Sequence, residues 1–244
     1  MISPEELAGW ELDDFLSGKL LLVDKPLGWT SFDAVKKIHW LIRRKFDIKK
    51  IKVGHAGTLD PLATGLLLIC TGKYTKKIAA LTLEGKRYTG TMVLGATTPS
   101  YDLETEVGNH QPTEHLIPAD VEAAATALSG VQLQMPPQFS AKQVDGKRAY
   151  LSARKGKKVE LTPREVTIDR FEVDASALPE VRFEIDCSKG TYIRAMARDL
   201  GEALGCGAYL SSLRRTGVGP YTVDQALDVD TCAAALQPES PPEL

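Results

Sequence analysis

Along the chain, apolar positions alternate with polar ones in some stretches and recur at helical spacing in others, and the two periods set the expected elements. Lys19–Asp24 predicts a short strand, stopped by the turn K-P-L-G-W-T-S from Lys25 to Ser31. Ser31 then reads as the N-cap of a helix from Phe32 to about Arg44, with Val35, Ile38, Leu41 and Ile42 on one face. The unbroken apolar run Leu66–Cys70 follows, then a short helix from Thr75 to Leu83, and Lys86–Leu94 alternates as a strand. Gly95–Asn109 is polar and reads as a loop, and Pro118–Leu128 as an alanine-rich helix ended by Gly130. Val131–Glu160 reads as basic loop with a helical piece at Ala149–Arg154. Val166–Val173 and Val181–Cys187 alternate as strands, Ile193–Leu204 is helical up to Gly205, and Ala208–Arg215 and Tyr221–Val223 close the core. Strands and helices mix without a regular βαβ period, which predicts an α+β, mixed α/β, domain. It runs over residues 19–235, between a loosely attached acidic arm (1–18) and a Pro/Glu-rich disordered tail (236–244).

Composition adds that the 244 residues suffice for a sizeable core, with hydrophobic and charged shares, 43% and 25%, of an ordinary globular protein. The four cysteines are scattered, with neither a metal-binding spacing nor a disulfide framework. No signal-like N-terminus or membrane-length apolar run is present, and a cytoplasmic protein without membrane contact is expected.

Charge changes the picture more. The net −2 conceals two basic blocks. Residues 36–52 hold eight Lys/Arg against the single acid Asp47, and residues 142–158 hold seven against Asp145. Basic blocks in an otherwise acidic chain are suited to docking a polyanion. The first block, which includes Arg43 and Arg44, runs into the segment K-V-G-H-A-G-T-L-D-P-L-A-T-G-L-L-L, Lys52 to Leu68. That segment places His55 and Asp60 in a loop with Gly54, Gly57 and Gly65, and Pro61 restricts the turn after the acid. On spacing alone, Asp60 could equally be the N-cap of a following helix with Pro61 at its first position.

The wording of the segment goes further. H-A-G-T-L-D-P-L-A-T-G-L-L resembles the catalytic motif of the TruB family of pseudouridine synthases, the bacterial tRNA pseudouridine-55 synthases. Four more segments resemble motifs of that family in the same order: K-P-L-G-W-T-S; K-R-Y at Lys86–Tyr88; M-P-P-Q-F-S-A-K-Q-V-D-G-K-R-A-Y at Met135–Tyr150; and C-S-K-G-T-Y-I-R at Cys187–Arg194 joined to C-G-A-Y-L-S-S-L-R-R-T at Cys206–Thr216. The matches run from about Lys19 to Tyr221.

The resemblance implies a pseudouridine-synthase-type fold: a central, largely antiparallel mixed sheet flanked by helices, with the catalytic cleft across it. It implies isomerisation of the T-loop uridine, position 55 of tRNA, by a catalytic aspartate with base flipping, without cofactor or metal. Asp60 then carries the catalysis with Arg194 as its cationic partner. His55 fills the space left by the flipped base and Tyr88 stacks on the uracil. Tyr192 interacts with Asp60 or acts in a later proton transfer, and Leu213 forms an apolar wall. Lys25, Arg43, Arg44, Lys142 and Arg148 are RNA-contacting candidates, the last two within the RNA-gripping insertion 131–160. The expected partner is the T-arm stem-loop of tRNA, bound by a monomer with no obligate protein partner. Two departures are visible. The chain reads as a short form without the family's C-terminal RNA-binding domain, and T-T-P-S-Y-D-L-E replaces a more acidic loop, leaving Asp102 as the match for its acid. A related synthase acting on another RNA, and a non-catalytic RNA-binding module, are the competing expectations.

Overall fold

A computed structural model describes residues 2–140, 159–237 and the backbone of the short strand pair 143–144 and 147–148. The chain forms two compact units, Met1–Lys86 with Arg214–Leu244, and Arg87–Leu213. The helical piece expected at Ala149–Arg154 lies outside the described residues.

In the first unit, Leu20–Lys25 pairs antiparallel with Ala63–Thr71, from Leu20↔Cys70 to Lys25↔Gly65, and parallel with Leu227–Asp228. Val53–Ala56 pairs antiparallel with the far end of Ala63–Thr71, from Val53↔Thr71 to Ala56↔Leu68. The apolar run Leu66–Cys70 is thereby covered on both faces, so it shows no alternation. Leu67 and Ile69 pack with Leu21, Val23 and the buried face of the helix Ser31–Lys45, while Leu66, Leu68 and Cys70 pack with Ala56, Leu81 and Val218. That helix begins one residue earlier than expected. Thr30 is its cap, accepting from Asp33 N while the Asp33 carboxylate accepts from Thr30 N. Gly72–Lys77 is a 3-10 turn that precedes the helix Ile78–Leu83.

Both ends of the chain correct the expectation. Residues Pro4–Ala8 and Leu12–Ser17 are helices, not a loose arm. Leu7 and Phe15 are fully buried among the residues of the helix Ser31–Lys45, and Lys45 Nζ donates to Ala8 O. Near the other end, Leu227–Asp228 forms a strand and Val229–Ala235 a helix, neither of which was expected, and Leu236, expected in the tail, is fully buried in the same cluster. Short acidic segments carry few apolar residues, and it is their packing against this core that orders them.

In the second unit, the first residues of the strand Ala208–Val218 lie beside Lys86–Leu94, followed by Glu180–Cys187, Arg164–Ala177 and Gly130–Gln134. Arg164–Ala177 and Glu180–Cys187 form a long antiparallel pair, and Gly130–Gln134, expected as loop, adds to its edge from Gly130↔Ile168 to Gln134↔Arg164. Ile193–Ala203 and Pro118–Ala127 are the helices of this unit among the described residues. Gly205, at φ 68°, takes the left-handed conformation that ends the first. The fold class is mixed α/β with largely antiparallel pairing, as expected.

Candidate active site

The Asp60 loop connects Val53–Ala56 to Ala63–Thr71. No helix follows Asp60: Ala63 N donates to Asp60 O at 3.1 Å and the chain turns directly into the strand, which excludes the helix-cap reading. The loop is gripped on both sides of the acid. Ser31 Oγ accepts from Leu59 N at 2.8 Å and lies 3.2 Å from Leu59 O, while Gly28 N donates to Pro61 O at 2.8 Å. The turn K-P-L-G-W-T-S therefore supplies the fasteners for the residues immediately before and after Asp60. A carboxylate set between two backbone anchors is pre-positioned, and little of its orientation remains to be acquired on binding.

Two buried cations underlie the loop. Arg215, 1% exposed, donates from Nε to Leu66 O at 2.7 Å and from Nη2 to Gly57 O at 3.1 Å. Its backbone passes so close to Gly65 (φ 104°) that a Cβ there would sit 2.2 Å from Arg215 O. Lys25 has no exposed surface and donates to Pro26 O at 2.9 Å and Trp29 O at 2.6 Å. Burial pulls its pKa down to about 8, and Asp60 is the strongest opposing influence. Lys25 was expected to contact RNA; a wholly enclosed ammonium belongs instead to the electrostatics beneath Asp60.

His55 pairs with Ile69 in the strand leading to the loop. Its pKa is lowered, first by burial and then by the Arg215 charge, so the neutral imidazole is favoured. Its Nδ1 is buried and has no hydrogen-bond partner among the described residues. A core histidine held by a full set of hydrogen bonds is thus not what the structure contains.

Tyr88, Tyr192, Arg194 and Leu213 belong to the second unit. Tyr88 lies on the strand Lys86–Leu94 and is 9% exposed. Tyr192 caps the helix Ile193–Ala203; its N–H donates to Gln134 Oε1 at 2.9 Å, and Arg164 lies 4.6 Å above its ring. Arg194 is buried, donates to Ser100 O at 3.0 Å and Phe139 O at 2.7 Å, and approaches Asp102 Oδ2 with Nε at 3.5 Å. Leu213 is partly buried in the strand Ala208–Val218. Among the RNA-contacting candidates, Arg43 and Arg44 are exposed, Arg43 donating to Ile48 O at 3.2 Å and Arg44 lying 5.1 Å over Trp40. Lys142 and the Arg148 side chain fall outside the described residues.

The sequence alone assigned no role to Arg214, Arg215, Gln134 or Arg164. Arg214 forms a two-point ion pair with Asp24, at 3.0 and 2.6 Å, in the first unit. A signal for this pair of arginines existed. Successive residues of a strand face opposite ways, so in L-R-R-T one arginine had to turn inward. Among the described residues no group of three His, Cys, Asp or Glu side chains is arranged to hold a metal ion.

Comparison with known proteins agrees with the motif order. Residues 43–193 match the model described as TruB family pseudouridylate synthase (N terminal domain), and residues 194–240 the model described as tRNA pseudouridylate synthase B C-terminal domain. A protein of Flavobacterium johnsoniae named tRNA pseudouridine synthase B is 51% identical over 226 residues, covering 92% of this chain and 99% of the relative. One of the same name from Phocaeicola vulgatus is 53% identical over 218 residues, covering 89% and 93%. Among solved structures, a chain of a Cbf5-Nop10-Gar1 complex aligns with TM-score 0.67 and 27% identity over 92% of this chain and 60% of its own length. A chain from an H/ACA RNP bound to a substrate RNA containing 2'-deoxyuridine shares the fold, with TM-score 0.65 and 24% identity over 96% and 62%. The chain therefore spans about three fifths of these solved chains.

Proposed function

Since the chain belongs to the TruB family of pseudouridylate synthases, we propose that it converts uridine to pseudouridine in tRNA, that the uridine is the one at position 55 in the T loop, and that Asp60 carries the chemistry. The observation behind this reading is the fastening of Asp60 between Leu59 and Pro61, above the buried charges of Lys25 and Arg215. A binding module has no need of a fastened aspartate loop with two enclosed cations, Lys25 and Arg215, against it, because burying those charges costs stability. For nucleophilic attack on the sugar or base, or for removal of a proton, the reacting form of the aspartate is the carboxylate.

The uridine of a folded RNA is stacked, and its extrusion costs a few kcal/mol. We assign the neutral, partly buried His55 ring to the space that the base vacates, and Tyr88 to stacking on the extruded uracil, an interaction worth about 1–3 kcal/mol per base. Leu213 walls the base and Tyr192 serves the later proton transfer. Arg194 is retained as the cationic partner of Asp60 during the reaction. The enzyme acts as a cytoplasmic monomer without cofactor or obligate protein partner. A guide-dependent activity on other RNA is the weaker reading, because relatives near 50% identity over nearly their whole length carry the tRNA name, against 27% identity to the chain of the Cbf5-Nop10-Gar1 complex.

The test is incubation with unmodified tRNA transcript, followed by mapping of pseudouridine at nucleotide resolution. Pseudouridine confined to position 55 is the expected result; none, or pseudouridine only elsewhere, overturns the reading.

A further inference from the structure

The strand Gly130–Gln134, at the edge of its sheet, inverts the pattern that packing favours. Its apolar residues Val131 and Leu133 are 69% and 74% exposed, whereas Gln134 is 1% exposed. A buried amide costs free energy unless it is hydrogen-bonded. Both ends of the Gln134 amide are engaged by one residue: Oε1 accepts from Tyr192 N at 2.9 Å, and Nε2 donates to Tyr192 O at 3.2 Å. Tyr192 is the N-cap residue of the helix Ile193–Ala203, and its carbonyl also accepts from Ala195 N at 3.0 Å. Strand pairing adds a second grip. Gln134 stands directly opposite Arg164, so the two side chains leave the sheet on the same face. Arg164 holds its guanidinium 4.6 Å from the centroid of the Tyr192 ring. Room for it depends on Gly190 (φ 79°), where a Cβ would lie 2.7 Å from Arg164 Nη1. The loop before Tyr192 is tied to the strand of Arg164 as well. Ser188 N donates to Thr167 O, and Thr167 N donates to Ser188 Oγ, each at 2.9 Å.

We propose that Gln134 and Arg164 are positioning residues for the reaction, Gln134 fixing the backbone of Tyr192 and Arg164 fixing its ring. The assignment rests on the pseudouridine-forming reading above, in which Tyr192 serves a proton transfer, and adds to it the residues that hold this tyrosine in place. An apolar side chain at position 134 would be buried with no polar group to satisfy, but it would leave Tyr192 N without this partner at the head of the helix. The amide that stands there instead meets both backbone groups of a single residue. It thereby pins the peptide units on either side of Tyr192 and sets the direction in which its side chain leaves the chain. Arg164 acts further out, because a cation drawn to the face of an aromatic ring restricts the ring's rotation. Backbone and ring together decide where the phenol oxygen stands, and a group that transfers a proton has to stand within hydrogen-bond reach of its partner. The segment that carries Gln134 grips the same helix twice more, Phe139 O accepting from Arg194 at 2.7 Å and Met135 O from Arg198 at 3.1 Å. Gln134 is the grip nearest the start of the helix, where Tyr192 sits.

The test is a double-mutant cycle on the single-turnover rate of pseudouridine formation, measured at saturating enzyme with unmodified tRNA transcript. Arg164→Met removes the charge of a partly exposed side chain at similar length, and Tyr192→Leu removes the ring. Each single variant should be slowed about tenfold or more, the loss expected of a poorly held reacting group. The double variant should be no slower than Tyr192→Leu, because Arg164 then has no ring to hold. Arg164→Lys keeps a cation over the ring and should restore the rate to within about threefold of wild type. The Kd for tRNA and its salt dependence should be those of wild type in Arg164→Met. Gln134→Met should be slowed at least as much, its rate read on protein that circular dichroism shows to be folded; Gln134→Glu, which keeps the acceptor for Tyr192 N, is the second variant at this position and should fall between it and wild type. A wild-type rate in Arg164→Met or in the Gln134 variants beside a slow Tyr192→Leu overturns the proposal. So do additive losses in the double variant, or weakened tRNA binding by Arg164→Met, which would make Arg164 an RNA contact instead. A wild-type rate in Tyr192→Leu removes Tyr192 from the reaction and its two holders with it. Absence of pseudouridine with the wild-type protein overturns the functional reading itself.

Discussion

Arg194 Nε and Asp102 Oδ2 stand 3.5 Å apart with both side chains more than nine-tenths buried, while the other two guanidinium nitrogens of Arg194 donate to Ser100 O and Phe139 O. This arginine joins three segments of the second unit: the loop around Asp102, the Met135–Ser140 stretch and the helix Ile193–Ala203. Removing Asp102 by Asp102→Ala takes one acidic neighbour from a buried guanidinium, and about 3–5 kcal/mol of stability should be lost in urea unfolding. Arg194→Lys should also destabilise, since an ammonium cannot reach all three acceptors, and should reduce the single-turnover rate of the folded fraction by at least about a hundredfold. Wild-type stability in both variants would show that the pair is incidental.

Asp60→Asn should abolish pseudouridine formation and leave tRNA affinity within about threefold, because affinity is distributed over many phosphate contacts and the chemistry resides in one carboxylate. Turnover detected with this variant in single-turnover assays sinks the assignment of Asp60.

The fasteners of the loop can be loosened separately. Ser31→Ala deprives Leu59 of a hydrogen-bond partner and should cost about 1–3 kcal/mol in stability. It should slow the chemical step about tenfold or more, roughly what an imprecisely held catalytic group loses. Gly65→Ala introduces a Cβ 2.2 Å from Arg215 O at a positive φ, and about 2–5 kcal/mol of destabilisation is expected. Equal Tm values for Gly65→Ala and wild type would mean that the strand pair separates at no cost.

Lys25 gives a pH signature with two opposite signs. Its pKa in the folded protein is about 8, against 10.5 for the exposed group. Between these values the unfolded chain holds the proton that the folded chain has released, so stability contributed by this site rises with pH. The Tm difference between wild type and Lys25→Met should therefore move in favour of wild type from about pH 8 to about pH 10. Over the same window the charge beneath Asp60 disappears, and the single-turnover rate of wild type should fall. A rate independent of pH across that window removes Lys25 from the support of Asp60.

Deletion of residues 2–18 should lower the Tm by more than about 5 °C, a shift that corresponds to about 1–2 kcal/mol in a domain of this size. Leu7 and Phe15 fill the core around the helix Ser31–Lys45, and removing them leaves a void. An unaltered Tm would restore the view of this segment as a loose arm.

By itself the sequence determined the elements whose period is unambiguous. The helix Ser31–Lys45 carries a continuous apolar face and the strands 86–94 and 180–187 alternate, whereas the run Leu66–Cys70 has no period, and only its pairing made it a strand. It also determined which loop to watch, because the order of its motifs resembled that of one family from end to end. Boundaries slipped where local signals compete, as at Thr30 and Ser31, two hydroxyl residues either of which can cap; the Asp33 side chain settled the matter by closing a capping box on Thr30. Other features were decided only by tertiary structure. That Arg215 and not Arg214 turns inward depends on which face of the strand meets Gly57 and Leu66. Lys25 became an enclosed charge because the strand ending at Lys25 lies against Gly65, and Lys73 came to stand beside Lys52 because Val53 pairs with Thr71. Asp102 found Arg194 across about ninety residues of chain. Each of these relations is a contact through space between segments that have no local reason to meet, and its energy is realised only once the sheet has chosen its register.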